Sequence, residues 1–118
     1  MWRSLVLALV ACGSSHGGAD APGDPVACKA ALETKLDRTC SVPSDCMLVA
    51  SADCCGTIEL GVHVATNFAQ SEATYEACLA CGPRGCQHAD LAEDGNAANA
   101  GQTIVATCIA SRCTSIVQ

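Results

Sequence analysis

The sequence predicts a small α+β domain in which two helices pack on an antiparallel sheet and disulfides hold the elements together. Eleven of the 118 residues are cysteines, a density typical of disulfide scaffolds. Aromatic residues make up only 3% of the chain, which is too few for a deep aromatic core. Stretches with helical spacing and short apolar runs bounded by turn residues both occur, as expected for an α+β domain.

The charge balance excludes two classes of partner. Six basic residues face twelve acidic ones, which gives a net charge of −6. We therefore expect no binding to nucleic acid, because the chain has too few cations to neutralise a row of phosphates. A polybasic membrane-binding patch is excluded on the same grounds.

The N-terminus is predicted to be an export signal. Residues 4–11 form an apolar run that is too short to span a membrane. The run ends in Leu9-Val10-Ala11-Cys12, which resembles the bacterial lipobox, in which the cysteine is diacylated and becomes the new N-terminus. We therefore predict a lipoprotein signal peptide at residues 1–11 and a lipid on Cys12. The alternative is an ordinary secretory signal that leaves Cys12 as a spare thiol.

Residues 12–23 are predicted to be a lipidated, flexible tether, because they are small and polar and lack apolar periodicity. The lipid would make the membrane a partner and place the protein in the cell envelope. Gly13 favours the outer membrane, since an aspartate at this position would favour inner-membrane retention. Cysteine parity supports lipidation, because removing Cys12 from eleven cysteines leaves an even ten.

A disulfide-rich domain is predicted over residues 24–118, and its first element is a helix. Asp24 is a good N-cap and Pro25 suits the first helical position, so a helix is expected over residues 25–38. Lys29 and Glu33 are spaced to form an ion pair on its polar side.

A second helix is predicted to begin after Asn67, which could form a capping box with Gln70, and to end near Leu79. Phe68 and Tyr75 lie two turns apart and share a face. We expect that face to form the centre of the core, because these two residues are the only aromatics left after processing.

The strands of the predicted sheet are short. Residues 46–50, 57–60, 103–108 and 113–117 read as strands, and the last two form a hairpin. Residues 84–102 read as a loop whose centre, residues 92–101, has almost nothing to bury, and we expect residues 89–102 to be the most mobile part of the domain.

The ten remaining cysteines are expected to form five disulfides, because an exported chain meets an oxidising environment. Their spacing leaves the connectivity open. Cys54 and Cys55 should have different partners, since a bond between adjacent cysteines is strained. The ten are Cys28, Cys40, Cys46, Cys54, Cys55, Cys78, Cys81, Cys86, Cys108 and Cys113.

The order of these motifs resembles that of small exported cysteine-rich proteins of myxobacteria and their relatives. The resemblance rests on Cys40-x5-Cys46, Leu48-Val49, Cys54-Cys55-Gly56, a helix, a cysteine cluster and Cys108-x4-Cys113. Pro43 replaces the first acidic residue of that pattern, whereas Asp45 keeps the second. The resemblance implies an uncharacterised lipoprotein scaffold and carries over no functional residue.

Two features suggest more specific functions. Arg84 follows Pro83 in a loop bounded by Cys81 and Cys86, as in inhibitors that present a basic residue to a trypsin-like protease. The alternative is a solvated turn. Cys78, Cys81, Cys86 and His88 have spacings that suit Zn²⁺, and Cys78-x2-Cys81 also matches a redox motif.

Export and even parity favour disulfides over thiolates at these cysteines, so we expect no metal site and no cofactor. The segment from Asp90 to Gly101 faintly resembles a calcium loop, but Gly101 stands where the bidentate glutamate should be. No Ser/His/Asp set or phosphate-binding loop is recognisable. We therefore expect a binding or structural domain, with a protein partner among the candidates, rather than an enzyme.

Overall fold

A computed structural model describes residues 23–82 and 85–118. The predicted signal peptide, Cys12, nearly all of the predicted tether, and Arg84 lie outside the described residues. The described elements, in chain order, are α1 (Pro25–Glu33), a short 3₁₀ turn (Pro43–Asp45), β1 (Cys46–Ala52), β2 (Thr57–His63), α2 (Phe68–Leu79), β3 (Ile104–Ile109) and β4 (Arg112–Val117).

The predicted α+β class with two helices is confirmed, but the strands form two antiparallel two-stranded sheets instead of one sheet. β1 pairs with β2 across a four-residue loop, and β3 pairs with β4 across a two-residue turn. All four strands extend beyond or shift slightly from their predicted bounds. The two hairpins pack together through β2 and β4.

The free edges of β2 and β4 are joined by side chains. One Glu93 carboxylate oxygen accepts hydrogen bonds from the Gly61 amide of β2 at 3.0 Å and the Ser115 amide of β4 at 2.9 Å. The Arg38 guanidinium donates to the Gly61 carbonyl at 2.8 Å and contacts the Cys113 carbonyl at 3.4 Å. The side chains of Arg38 and Glu93 therefore form hydrogen bonds with backbone groups at the edges of β2 and β4. In a continuous sheet, these groups would have bonded to each other directly.

The core lies between the helices and the first hairpin. Leu60 and Val62 of β2 are fully buried in one cluster with Leu79 of α2, whereas Phe68 is only half-buried and packs against that cluster. The expectation that Phe68 and Tyr75 together form the centre is wrong for Phe68. The β2 residues occupy the centre because they share this cluster with residues of both helices, while β2 also contacts both strands of the second hairpin.

The first helix begins as predicted but ends five residues early. The Val26 amide donates to the Asp24 carboxylate at 3.1 Å, which confirms the N-cap. The helix stops at Glu33 because the chain beyond it joins the strand edges. The carbonyls of Asp37 and Arg38 accept from the amides of His63 and Cys113 at 2.8 Å and 2.6 Å, respectively.

Two predicted side-chain interactions of the helices are wrong. The Glu33 carboxylate binds Arg38 at 2.6 Å, and no Lys29–Glu33 ion pair occurs within residues 23–82 and 85–118. The second helix begins at Phe68 as predicted, but Asn67 makes no side-chain capping bond. Glu33 pairs with Arg38 instead of Lys29 because the chain after α1 brings the Arg38 guanidinium next to the Glu33 carboxylate.

The long loop is fastened at its centre, contrary to the expectation that it buries almost nothing. The Leu91 amide and carbonyl bond to Thr57 and Glu59 of β2 at 3.1 Å and 2.8 Å, respectively. Ala92 is fully buried, and Glu93 bridges the strand edges. Only the part of the loop beyond Glu93 has the open character that the composition predicts.

Candidate functional site

All ten domain cysteines form disulfides, as expected for an exported chain. Cys54 and Cys55 have different partners, which confirms that prediction. The five pairs are Cys28–Cys78, Cys40–Cys108, Cys46–Cys113, Cys54–Cys81 and Cys55–Cys86. Every described helix and strand is therefore cross-linked directly or through its hairpin partner, which points to a rigid scaffold in an oxidising extracytoplasmic compartment.

Two of the disulfides lie side by side at the end of the second hairpin. Cys108 and Cys113 are opposite each other in the β3–β4 register and bond to Cys40 and Cys46, respectively. The sulfurs of Cys40, Cys46 and Cys113 lie within 4.8 Å of one another. These sulfurs belong to disulfides and are not thiolates. The cluster is therefore a pair of neighbouring cross-links and not a metal site.

The zinc and redox readings of the Cys78 to His88 segment are wrong for the oxidised domain. Cys78, Cys81 and Cys86 belong to three different disulfides. Cys78 and Cys81 therefore do not form a redox pair, and no thiolate of this set is available to Zn²⁺.

His88 instead forms an ion pair with Asp53 in the loop between β1 and β2. Its Nε2 lies 2.7 Å from the Asp53 carboxylate, and its Nδ1 lies 2.6 Å from the Ala89 carbonyl. Both ring nitrogens face acceptors, so only the imidazolium can donate to both. His88 in this geometry fastens a loop, and neither nitrogen is free to act as a general base.

The electrostatics of this pair agree with the geometry. The hydrogen bond to the Ala89 carbonyl, followed by the one to Asp53, raises the pKa of His88. Burial alone would raise the pKa of Asp53, but the hydrogen bonds from His88 and the Cys55 amide outweigh it and lower that pKa. Both shifts favour the charged forms of the two side chains, His88 as imidazolium and Asp53 as carboxylate.

The segment that carries Arg84 is fixed at both ends to one loop. Cys81 bonds to Cys54 and Cys86 bonds to Cys55, so adjacent residues hold its two ends. The His88 amide also donates to the Cys55 carbonyl at 3.0 Å. Arg84 itself lies outside the described residues.

An apolar cavity of about 460 Å³ lies between α1 and α2, and we call it the helix groove. Leu32 and Tyr75 are buried and form its floor, and the Cys28–Cys78 disulfide closes one end. The α1 side is lined by Ala31, Leu32 and Lys35, and the α2 side by Gln70, Ser71, Thr74, Tyr75 and Cys78. A volume of this size falls within the range of small-molecule sites.

Lys35 is the one charged residue that lines the helix groove. No carboxylate lies within 4.0 Å of its ammonium in the described part of the chain. Glu72 of α2 is directed away, since its carboxylate accepts from Ser51 and the Ala52 amide of β1. Burial, followed by the charges of Glu72 and Asp53, raises the pKa of Tyr75, so this floor residue is neutral at physiological pH.

The N-terminal end of the described domain lies beside the same groove. The Gly23 amide donates to the Cys78 carbonyl at 2.7 Å, next to the disulfide that closes the groove. Lys35 follows the C-terminal end of α1, beyond Leu32 along the chain, and lines the same groove. The groove is therefore bordered by the point where the predicted tether joins the domain, and it contains a lysine that has no carboxylate within 4.0 Å among the described residues.

Sequence reasoning missed the groove, although one signal was present. Ala31 and Leu32 lie three and four residues after Cys28, and Lys35 lies four and three residues after them, so a cation continues an otherwise apolar stripe. The partner helix could not be assigned to that stripe without the Cys28–Cys78 bond. The roles of Arg38 and Glu93 carried no local signal at all.

Within residues 23–82 and 85–118, neither helix has the length and apolar character needed to cross a membrane. No protein-family model matches the chain, and no curated protein or solved structure is significantly similar to it.

Proposed function

We propose that this protein is a lipid-anchored binding module of the bacterial cell envelope, held to the membrane through Cys12 and binding its ligand in the helix groove. The observation that carries the proposal is a preformed apolar groove with one unpaired cation in a domain cross-linked by five disulfides. Preformed sites of this kind bind with little ordering cost.

A binding role is favoured over an enzymatic one. The one histidine–carboxylate ion pair among the described residues, His88 with Asp53, has both ring nitrogens on acceptors. The ten cysteines among the described residues are in disulfides and so offer no nucleophilic thiolate. The proposed partners are therefore a membrane, reached through the lipid, and a ligand of the groove, with nucleic acid excluded by the acidic balance.

Anchoring is tested in a bacterial host by palmitate labelling and membrane fractionation of the full chain. Cys12→Ser should abolish the label and release the protein from the membrane fraction. Ser14→Ala, a neighbouring change outside the lipobox, is the matched control and should stay labelled. Gly13→Asp should keep the label but move the protein from the outer to the inner membrane. Unchanged labelling of Cys12→Ser would refute the anchor.

Protease inhibition through Arg84 is the second candidate, and one observation favours it. The Cys54–Cys81 and Cys55–Cys86 bonds fix both ends of the segment onto adjacent residues, as required of a rigid presented loop. The test is inhibition of trypsin by the oxidised full chain, with Arg84→Ala as the variant and Arg112→Ala as the control. Inhibition that only Arg84→Ala removes would support this function over the groove.

A further inference from the structure

We propose that the helix groove binds the carboxylate of a single-chain fatty acid, with the head group at Lys35 and the acyl chain directed toward the Cys28–Cys78 disulfide. This inference rests on the proposed binding function and names the ligand class of that same groove. Three features of the groove define the ligand: its size, its lining and its charge.

The size favours a small molecule over a protein segment. The α2 residues from Ser71 to Cys78 span roughly 10 Å at about 1.5 Å per helical residue. A stable protein interface buries on the order of 1,000 Å² or more, which a groove of this length cannot offer. A cavity of about 460 Å³ suits a ligand of medium length.

The lining favours an apolar body. Leu32 and Tyr75 form a buried floor, and Ala31 and the Cys28–Cys78 disulfide add apolar walls. The hydroxyls of Ser71 and Thr74 are directed to carbonyls of their own helix at 3.5 Å and 3.1 Å, respectively, so they need no polar ligand group. A flexible acyl chain gains from burial on such a surface without leaving a polar atom unpaired.

The charge favours an anionic head group. Lys35 is the one charged residue lining the groove, and no carboxylate of the described residues pairs with it. Lys29, the other lysine of the chain, also has no carboxylate within 4.0 Å among the described residues, but it does not line the groove. A carboxylate at Lys35 would form a charge-assisted hydrogen bond, whereas a cationic head group would be repelled.

The chain offers built-in probes for the test. It contains two lysines and one tyrosine: Lys35 and Tyr75 line the groove, and Lys29 does not.

The full chain carrying Cys12→Ala, exported and confirmed by mass to hold five disulfides, is labelled with ¹³C at lysine and tyrosine. Its NMR signals are followed during titration with decanoate below the micelle concentration, with decyltrimethylammonium and decanol as controls matched in chain length.

We expect decanoate to shift the Lys35 and Tyr75 signals saturably and to leave Lys29 unchanged. Lys35→Gln should weaken binding about fivefold, the effect of roughly 1 kcal/mol for an exposed charge pair, while Lys29→Gln should not change it. Ala31→Trp, which fills the groove from an exposed position, should abolish binding while the disulfides and circular dichroism remain intact.

Three results would overturn the proposal: no saturable shift, decyltrimethylammonium binding as tightly as decanoate, or equal decanoate affinity in Lys35→Gln. Binding of decanol with decanoate affinity would also do so, because the head group would then play no part. None of these outcomes bears on the lipid anchor, which palmitate labelling of Cys12 measures separately.

Discussion

The Arg38 guanidinium lies 2.6 Å from the Glu93 carboxylate, and this ion pair joins two hairpins that do not pair with each other directly. Arg38 is 7% exposed and Glu93 17%. The guanidinium binds the Gly61 carbonyl, and the carboxylate binds the Gly61 and Ser115 amides. The pair thus replaces several missing backbone hydrogen bonds between the strand edges.

Removing Arg38 should be strongly destabilising. Arg38→Met leaves Glu93 without its cation, Glu33 with only the longer contact to Arg112, and the Gly61 carbonyl without its donor, so the free energy of unfolding should fall by about 3–5 kcal/mol. Urea unfolding with the disulfides intact measures this. Arg112→Met is the matched control, since Arg112 is exposed and lies 3.7 Å from Glu33; it should cost less than about 1 kcal/mol. Equal costs for the two variants would contradict the bridging role.

Gly61 should not tolerate any side chain. A Cβ added there would lie 2.5 Å from the Thr114 carbonyl group, because β2 and β4 approach closely at this point. Gly61→Ala should therefore lower the free energy of unfolding by about 1–3 kcal/mol or more, as overpacking does. Gly82→Ala is the control, since nothing lies within 4 Å of its added Cβ. A Gly61→Ala protein that melts at the wild-type temperature would show that the hairpins do not meet in this way.

The turn between β3 and β4 can be improved. Ala110 and Ser111 have φ angles of 50° and 61°, the left-handed values that a two-residue type I′ turn requires and that Asn-Gly adopts with least strain. The double change Ala110→Asn with Ser111→Gly should raise the free energy of unfolding by about 1 kcal/mol. Ser111→Val should lower it, because a β-branched residue resists positive φ. Thermal unfolding of the oxidised protein compares the three.

The contribution of His88 to stability should depend on pH. Its pKa in the folded state is raised above the ordinary value of 6.5, chiefly by the Ala89 carbonyl and then by Asp53. The stabilisation should therefore be complete below pH 6.5 and be lost as the pH rises through the folded-state pKa. The pKa of Asp53 is lowered below 3.8, so its contribution should be present above that pH and be lost only as the pH falls through the lowered value.

Unfolding free energies measured across this range test the pair. The wild-type protein should lose stability as the pH rises above 6.5, and His88→Gln should abolish this loss. His63→Gln, at the end of β2, is the matched control and should retain it. Asp53→Asn should lower the pKa of His88, which NMR titration of the ring signals would detect. A His88 titration below 6.5 in the wild-type protein would be incompatible with the geometry.

Hydrogen exchange should divide the long loop into two parts. The Leu91 amide bonds to the Thr57 carbonyl and the Ala92 amide to the Asn96 carbonyl, so both should be protected. Residues 98–101 are exposed and should exchange rapidly. Uniform hydrogen-exchange rates across residues 89–102 would show that the loop is equally mobile throughout. They would contradict an ordered Glu93.

The sequence by itself determined the features that depend on near neighbours. The Asp24-Pro25 start of α1, the bounds of α2, and the approximate strands follow from capping chemistry and periodicity within a few residues. Cysteine count and parity were enough to predict that all ten domain cysteines are disulfide-bonded, and adjacency was enough to give Cys54 and Cys55 different partners. The lipid on Cys12 and the role of Arg84 remain predictions.

The tertiary structure alone decided the features that join distant residues. Arg38 and Glu93 are 55 positions apart, and neither lies in a pattern that distinguishes it from a solvated charge. Their pairing bridges the edges of β2 and β4 and fastens Glu93 of the long loop to both hairpins. The helix groove likewise exists only because Cys28 and Cys78, 50 residues apart, bring two amphipathic helices together. Local propensity acts over a few residues, whereas burial and edge satisfaction are properties of the whole fold.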